Sequence, residues 1–167
     1  MKLGLLERVS EIELGIIIPF VEARPAIKIA GIARALGVEV KAATLKPKIS
    51  GQLQRTEENR DKFRIRVNRH EVAARQRFTI AHEIAHFLLH RDQIGDGIED
   101  SILYRSSLSD SREAEANRLA AQLLMPEELV LQAWKGLGGH KDQQTLKSLA
   151  GLFDVSESAM RIRLGMT

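Results

Sequence analysis

The sequence predicts an α+β fold in which a small three-stranded sheet packs on one long, buried helix. Residues 78–89 are apolar on nearly every side of a helix, and a helix of that kind is buried rather than exposed. Three short extended segments precede it, and Pro47 and Ser50-Gly51 punctuate the first two. A length of 167 residues suits one domain with a small C-terminal appendage.

Each element follows from the spacing of its apolar residues. Helical spacing predicts helices over 2–13 and 24–36, the second ended by Gly37. Strands follow at roughly 38–45, 49–56 and 62–67; the third is the clearest, since its apolar and basic residues alternate. After a long helix over 73–89 and a glycine- and serine-containing loop with a short strand at 102–104, helices are expected at 111–124, from Pro126, at 144–152 and at 156–164.

The composition, 44% hydrophobic and 28% charged, is that of a soluble globular protein. The chain has no cysteine, which excludes disulfides, thiolate metal sites and a cysteine nucleophile. The apolar run 14–20 is too short to span a bilayer, and Pro19 interrupts it. Acidic residues precede this run, unlike the start of a signal peptide. We therefore expect a cytoplasmic protein.

Basic residues outnumber acidic ones between Arg55 and Arg77. Such a stretch can meet nucleic acid or an acidic partner, or it can simply keep a sheet edge soluble. In one interpretation, the strand at 62–67 is an exposed edge to which a substrate backbone adds. Its Lys62, Arg64 and Arg66 would then face acidic groups of that substrate.

The stretch "TIAHEIAHFLLH", residues 79–90, has the spacing of a zinc site. His82 and His86 share one helix face and can converge on one Zn²⁺ ion. Glu83 lies about 100° round the helix, where it suits the general base of an H-E-x-x-H metallopeptidase. His90 lies about 12 Å from His82 along the axis, so we exclude it as a ligand and expect it to end the helix. The alternative is a chance histidine pair, but buried polar groups need partners, and a metal supplies them.

A third ligand is expected in "SREAEANRLAAQLLMP", residues 111–126. Helical spacing places Glu113 on the apolar face and Glu115 on the solvated face. Asn117, one turn below Glu113, could orient a metal ligand. Glu113 could instead form a capping box with Asp110. The histidine pair favours the ligand, because two histidines and a glutamate complete a catalytic zinc site.

Together, "RQRFTIAHEIAHFLLH" and "EAEANRLAAQLLMP" resemble the ImmA/IrrE metallo-endopeptidases, over roughly residues 24–130. Ile84 and Ala85 stand where the family often has Leu-Gly, and Leu119 where it often has Phe. The resemblance implies a gluzincin-like fold with zinc ligands at His82, His86 and Glu113, positions that these departures do not touch, and with Glu83 as the catalytic base.

The resemblance also implies a role: cleavage of a helix-turn-helix (Xre-type) transcriptional repressor, which relieves repression in a stress or mobile-element response. On this basis residues 1–135 form a zincin-like metallopeptidase domain. Residues 140–167 form a C-terminal helix-turn-helix-like helical segment. The expected partner is thus a protein substrate, and we expect no association with a membrane.

The segment "LKSLAGLFDVSESAMRIRL", residues 146–164, resembles a helix-turn-helix, with Ser156 capping its second helix and Asp154 at the turn position usually held by glycine. Glu157, Arg161 and Arg163 would be a thin base-reading set. The alternative is a helical hairpin that closes the core. A second function therefore stays open, a zinc-containing DNA- or repressor-binding regulator without significant proteolysis, although a structural zinc site has no use for a base at Glu83.

Overall fold

A computed structural model of the chain describes residues 4–95, 97–101 and 110–166, with side chains described for 4–95 and 111–166. The helices are α1 (Glu11–Val21), α2 (Ile29–Ala35), α3 (Ala73–His90), α4 (Asp110–Leu124), α5 (Glu127–Gly136), α6 (Gln143–Phe153) and α7 (Glu157–Arg163). The strands are β1 (Glu39–Ala43), β2 (Ile49–Arg55), β3 (Phe63–Asn68) and β4 (Gly97–Ser101), and short 3₁₀ turns cover Gly4–Arg8 and Arg91–Gln93. The strand expected at 102–104 lies outside the described residues.

The three predicted strands form one sheet, which β4 extends in the order β1-β3-β2-β4. β1 runs parallel to β3, whereas β2 is antiparallel to both β3 and β4. β3 therefore lies inside the sheet, and the interpretation of residues 62–67 as an exposed edge was wrong. The Arg64 side chain donates to Glu39 of β1, and Arg66 Nη1 donates to Gln52 Oε1 of β2 at 2.9 Å. Both arginines therefore bridge neighbouring strands.

Helix α3 lies at the centre of the molecule, as its apolar sequence predicts. It packs against α4 on one side and against β2, β3 and α2 on others. Ala81, Ile84 and Ala85 of α3 are fully buried, as are Leu53 and Ile65 of the sheet. Burying apolar surface on every side of a helix requires neighbours on every side, and the sheet and α4 provide them. The predicted α+β architecture is thus confirmed.

The N-terminal helices differ from those predicted from the sequence. The predicted helix at 2–13 is a 3₁₀ turn followed by α1, because Ser10 restarts the chain as an N-cap whose Oγ accepts from Glu13 N at 3.3 Å. The apolar run lies within α1, with Pro19 two residues before its end. The predicted helix at 24–36 begins only at Ile29. Among the described residues, no helix is long and apolar enough to cross a membrane.

The C-terminal helices α6 and α7 form the expected pair. Asp154 adopts the left-handed conformation at φ 51° that ends α6, and Ser156 Oγ caps α7 by accepting from Ala159 N at 3.1 Å. Arg77 of α3 reaches this turn, donating to Asp154 O at 3.1 Å, and Arg163 Nε donates to Met125 O at 2.9 Å. The two arginines connect the pair to the rest of the chain, and its status as a separate segment stays a prediction.

Candidate metal centre

Two histidines on successive turns of α3 face each other in the core. The Nε2 atoms of His82 and His86 lie 3.0 Å apart. The residues are 8% and 0% exposed, respectively. The i, i+4 spacing places the two rings on one face of the helix, and packing against α4 removes that face from water.

Glu113 of α4 completes the group. Its Oε2 lies 3.3 Å from His82 Nε2, and its Oε1 lies 3.3 Å from His86 Nε2. The side chain of Asp110, the other member of the alternative capping box, lies outside the described side chains. The contacts of Glu113 fit the role beside the histidines.

The three side chains fit a metal ion in both size and number. One ligand atom from each of His82, His86 and Glu113 lies within 4.8 Å of the other two. A tetrahedral zinc with bonds of about 2.0–2.1 Å holds its ligand atoms about 3.3–3.4 Å apart. The observed separations of 3.0, 3.3 and 3.3 Å are close to that value. The group could thus accept zinc with little rearrangement.

The hydrogen bond on the far side of His82 fixes its tautomer. His82 Nδ1 lies 2.9 Å from Asn117 Oδ1. An amide oxygen only accepts, so Nδ1 carries the hydrogen and donates it. In the neutral ring, Nε2 then has a lone pair directed toward Glu113 and His86. This contact agrees with the predicted orienting role of Asn117.

A longer connection lies behind His86. His86 Nδ1 is 3.0 Å from His90 Nδ1, and His90 Nε2 is 2.9 Å from Glu115 Oε2. Burial lowers the pKa of His90, although the hydrogen bond to Glu115 acts in the opposite direction. The neutral His90 ring donates from Nε2 to the carboxylate, since a carboxylate only accepts. His90 Nδ1 then accepts from His86 Nδ1, and His86 Nε2 is left with its lone pair.

Two outcomes concern residues 90 and 115. His90 ends α3 and is not part of the three-residue group, as predicted. The prediction that Glu115 faces solvent was wrong, because its side chain is only 24% exposed and binds both His90 and Arg8. The His86–His90 spacing was the signal in the sequence for this connection, but the position of α4 was needed to complete it.

With these tautomers the group could hold a cation. Two imidazole lone pairs and a carboxylate, from His82, His86 and Glu113, point at one another within a mostly buried space. Such a set is mutually repulsive without a positive charge among its members. Imidazole and carboxylate are ligands that zinc accepts, and no thiolate is available in this chain.

Glu83 lies beside the group and beneath the sheet. It is fully buried. A Cβ atom built on Gly51 of β2 would lie 3.0 Å from Glu83 Oε1 and 2.4 Å from the Thr79 methyl. Only glycine lets the strand approach α3 this closely, so Gly51 permits the close packing of β2 over the glutamate. Nothing in the sequence pattern indicated this role of Gly51.

The fold and the site define a class: a small α+β domain with an H-E-x-x-H helix and a His-His-Glu group able to hold a metal ion. The chain belongs to the IrrE N-terminal-like domain family of peptidases, whose model matches residues 33–165. No curated protein matches the sequence.

A solved structure described as a Mycobacterium tuberculosis transcriptional regulator is similar to this chain, with a TM-score of 0.60 and 19% sequence identity. The match covers 95% of this chain and 48% of the regulator, so this chain spans about half its length. At that identity the likeness shows the fold alone.

Proposed function

We propose that the chain is a zinc-dependent endopeptidase that cleaves a helix-turn-helix (Xre-type) transcriptional repressor and so relieves repression. The observation that carries the proposal is the convergence of His82, His86 and Glu113 beside Glu83. Membership of a peptidase family supports the reaction class. In this assignment the first three residues are the metal ligands and Glu83 is the catalytic base.

When bound, zinc would supply Lewis-acid chemistry, lowering the pKa of a coordinated water and polarising the scissile carbonyl. Glu83 would accept the proton of the attacking water and pass it to the departing amine. Its burial under β2 keeps the carboxyl group apart from bulk water. Asn117 would hold the His82 ring in the orientation and tautomer that a ligand needs.

The sheet offers an edge that could take a substrate backbone. β3 is paired on both sides, whereas β4 pairs only with β2 among the described strands. In the β2–β4 ladder, Gly51 lies opposite Asp100, and Gly51 is the residue packed against Glu83. A peptide added to the outer edge of β4 would lie two strands from β2, the strand that covers the base, and we place the substrate there instead of along β3.

Cleavage can be tested with a helix-turn-helix repressor encoded at the same locus. Purified protein loaded with zinc should cut it into two fragments, and a chelator should stop the reaction. Glu83→Gln should bind zinc like wild type and fail to cut. Glu127→Gln, a matched change at the exposed start of α5, should both bind zinc and cut the repressor. Full-rate cleavage by Glu83→Gln would refute the role of the base.

A regulator without significant proteolysis is the second candidate, favoured by the similar solved structure of a transcriptional regulator and by the α6–α7 pair. The polar residues of α7 offer it little support. Gln143 donates to Glu157 and accepts from Arg161, while Arg163 donates to Met125 O. Tight, chelator-resistant binding to operator DNA without any cleavage would favour this candidate over the peptidase.

A further inference from the structure

We propose that His90, held by Glu115, is a positioning residue that sets the ring orientation and tautomer of His86 for metal binding. The inference rests on the proposed metal site and adds two residues to it, neither of which is a ligand. Its basis is an unbroken series of contacts. Glu113 lies 3.3 Å from His86 Nε2, His86 Nδ1 lies 3.0 Å from His90 Nδ1, and His90 Nε2 lies 2.9 Å from Glu115 Oε2.

The direction of these hydrogen bonds is set from the outer end. The Glu115 carboxylate can only accept, so His90 Nε2 must donate to it. In a His90 ring with one hydrogen, Nδ1 is then the acceptor for the His86 Nδ1 hydrogen. This arrangement leaves His86 Nε2 as a lone pair, the form in which imidazole binds a metal. If His90 Nδ1 donated to His86 Nδ1 instead, a neutral His86 would carry its hydrogen on Nε2, and that atom could not be a ligand.

The outer end is itself held in place. Arg8 Nη1 lies 2.6 Å from Glu115 Oε1, while the other carboxylate oxygen contacts His90. The carboxylate is thereby fixed from the N-terminal 3₁₀ turn, Gly4–Arg8. Both rings of the inner contact belong to one rigid helix, α3, and Glu115 belongs to α4, which also carries Glu113. Shared elements keep the ligand and its support in register.

The burial of His90 argues against a role in packing alone. The residue is 2% exposed at the end of an apolar helix, where leucine would fill similar space without a polar group to satisfy. His82 and His86 both have a hydrogen-bond partner at Nδ1. The Nδ1 of His82 meets Asn117, and the Nδ1 of His86 meets His90. Each proposed histidine ligand thus has a partner of its own on the side away from Glu113.

Zinc affinity measured against a competing chelator tests the proposal. His90→Leu keeps the volume but removes the acceptor, and should weaken zinc binding about 10–100-fold, the usual cost of losing such a support. His90→Asn should retain most of the affinity, because its Oδ1 can occupy the place of the imidazole Nδ1 and accept from His86. His140→Leu, at an exposed histidine, is the matched control and should bind zinc like wild type.

NMR of the imidazole nitrogens in the metal-free wild-type protein gives a second, independent readout. We expect hydrogen on Nδ1 of His86 and on Nε2 of His90, and Glu115→Ala should mix the two tautomers of His90. Hydrogen on Nε2 of His86 with none on its Nδ1 in the wild-type protein would overturn the inference, as would equal zinc affinity of His90→Leu and wild type, or of His90→Asn and His90→Leu. If wild type itself bound no zinc, the proposed metal site would fail, while the tautomers would still report on the hydrogen-bond series.

Discussion

Gly51→Ala should destabilise the protein and disturb the environment of Glu83. The new Cβ would lie 2.4 Å from the Thr79 methyl, 3.0 Å from Glu83 Oε1 and 3.3 Å from Arg66 O. Carbon atoms pack best at about 3.5–4.0 Å, so β2 and α3 would have to separate locally by roughly 1 Å at this contact. Overpacking of this kind costs about 1–3 kcal/mol. The site lies between two central elements, which leaves little room to relax.

The free energy of unfolding, measured by denaturant titration of the metal-free protein, would show this loss. Gly15→Ala is the matched control: Gly15 is exposed inside α1, with nothing within 4 Å of its built Cβ. Alanine there should add about 0.5–1 kcal/mol of stability, because it favours the helix.

Thr79→Ser removes the methyl in the closest contact and should recover part of the loss in the Gly51→Ala background. The same change alone should cost stability, since it deletes a buried methyl worth about 0.8 kcal/mol. The two substitutions should therefore be non-additive, with a coupling of at least about 0.5 kcal/mol. Strict additivity, or a gain in stability from Gly51→Ala alone, would refute the packing argument.

Three further predictions follow from the site and from the helix caps. Glu113→Gln should lose its zinc during dialysis, whereas wild type and Glu127→Gln should each keep about one ion per chain. Zinc retained by Glu113→Gln would exclude the carboxylate as a ligand. Ser156→Ala should lower the unfolding free energy by about 0.5–2 kcal/mol, since it removes the cap of α7. The hydrogen bond from Thr145 N lowers the pKa of Asp142. The stability that this cap adds should thus be complete above the unfolded-state pKa and disappear as the pH falls through the lower folded pKa. A loss on Asp142→Ala that stays constant across acid pH would contradict the charge-assisted cap.

The sequence alone was sufficient for the central helix, for three of the four described strands and for the residues of the candidate metal group. Periodicity located α3 and the strands β1, β2 and β3, because the repeat of apolar residues differs between helix and strand. The spacing of His82 and His86 put both on one helix face. The apolar face of α4 selected Glu113 over Glu115 as the group that meets them. These are local properties, which a helix fixes for residues a few positions apart.

The tertiary structure alone decided what covers each face. The alternation in β3 shows a strand with two different faces, but it does not reveal that β1 and β2 pair with its two edges. Helical spacing within α4 likewise predicted that Glu115 faces solvent, because spacing within one helix carries no information about the neighbouring helix. In the structure α4 packs on α3, and Glu115 contacts His90 of α3. Pairing and packing join residues far apart in the chain, and so the supports of the site emerged only once the chain was folded.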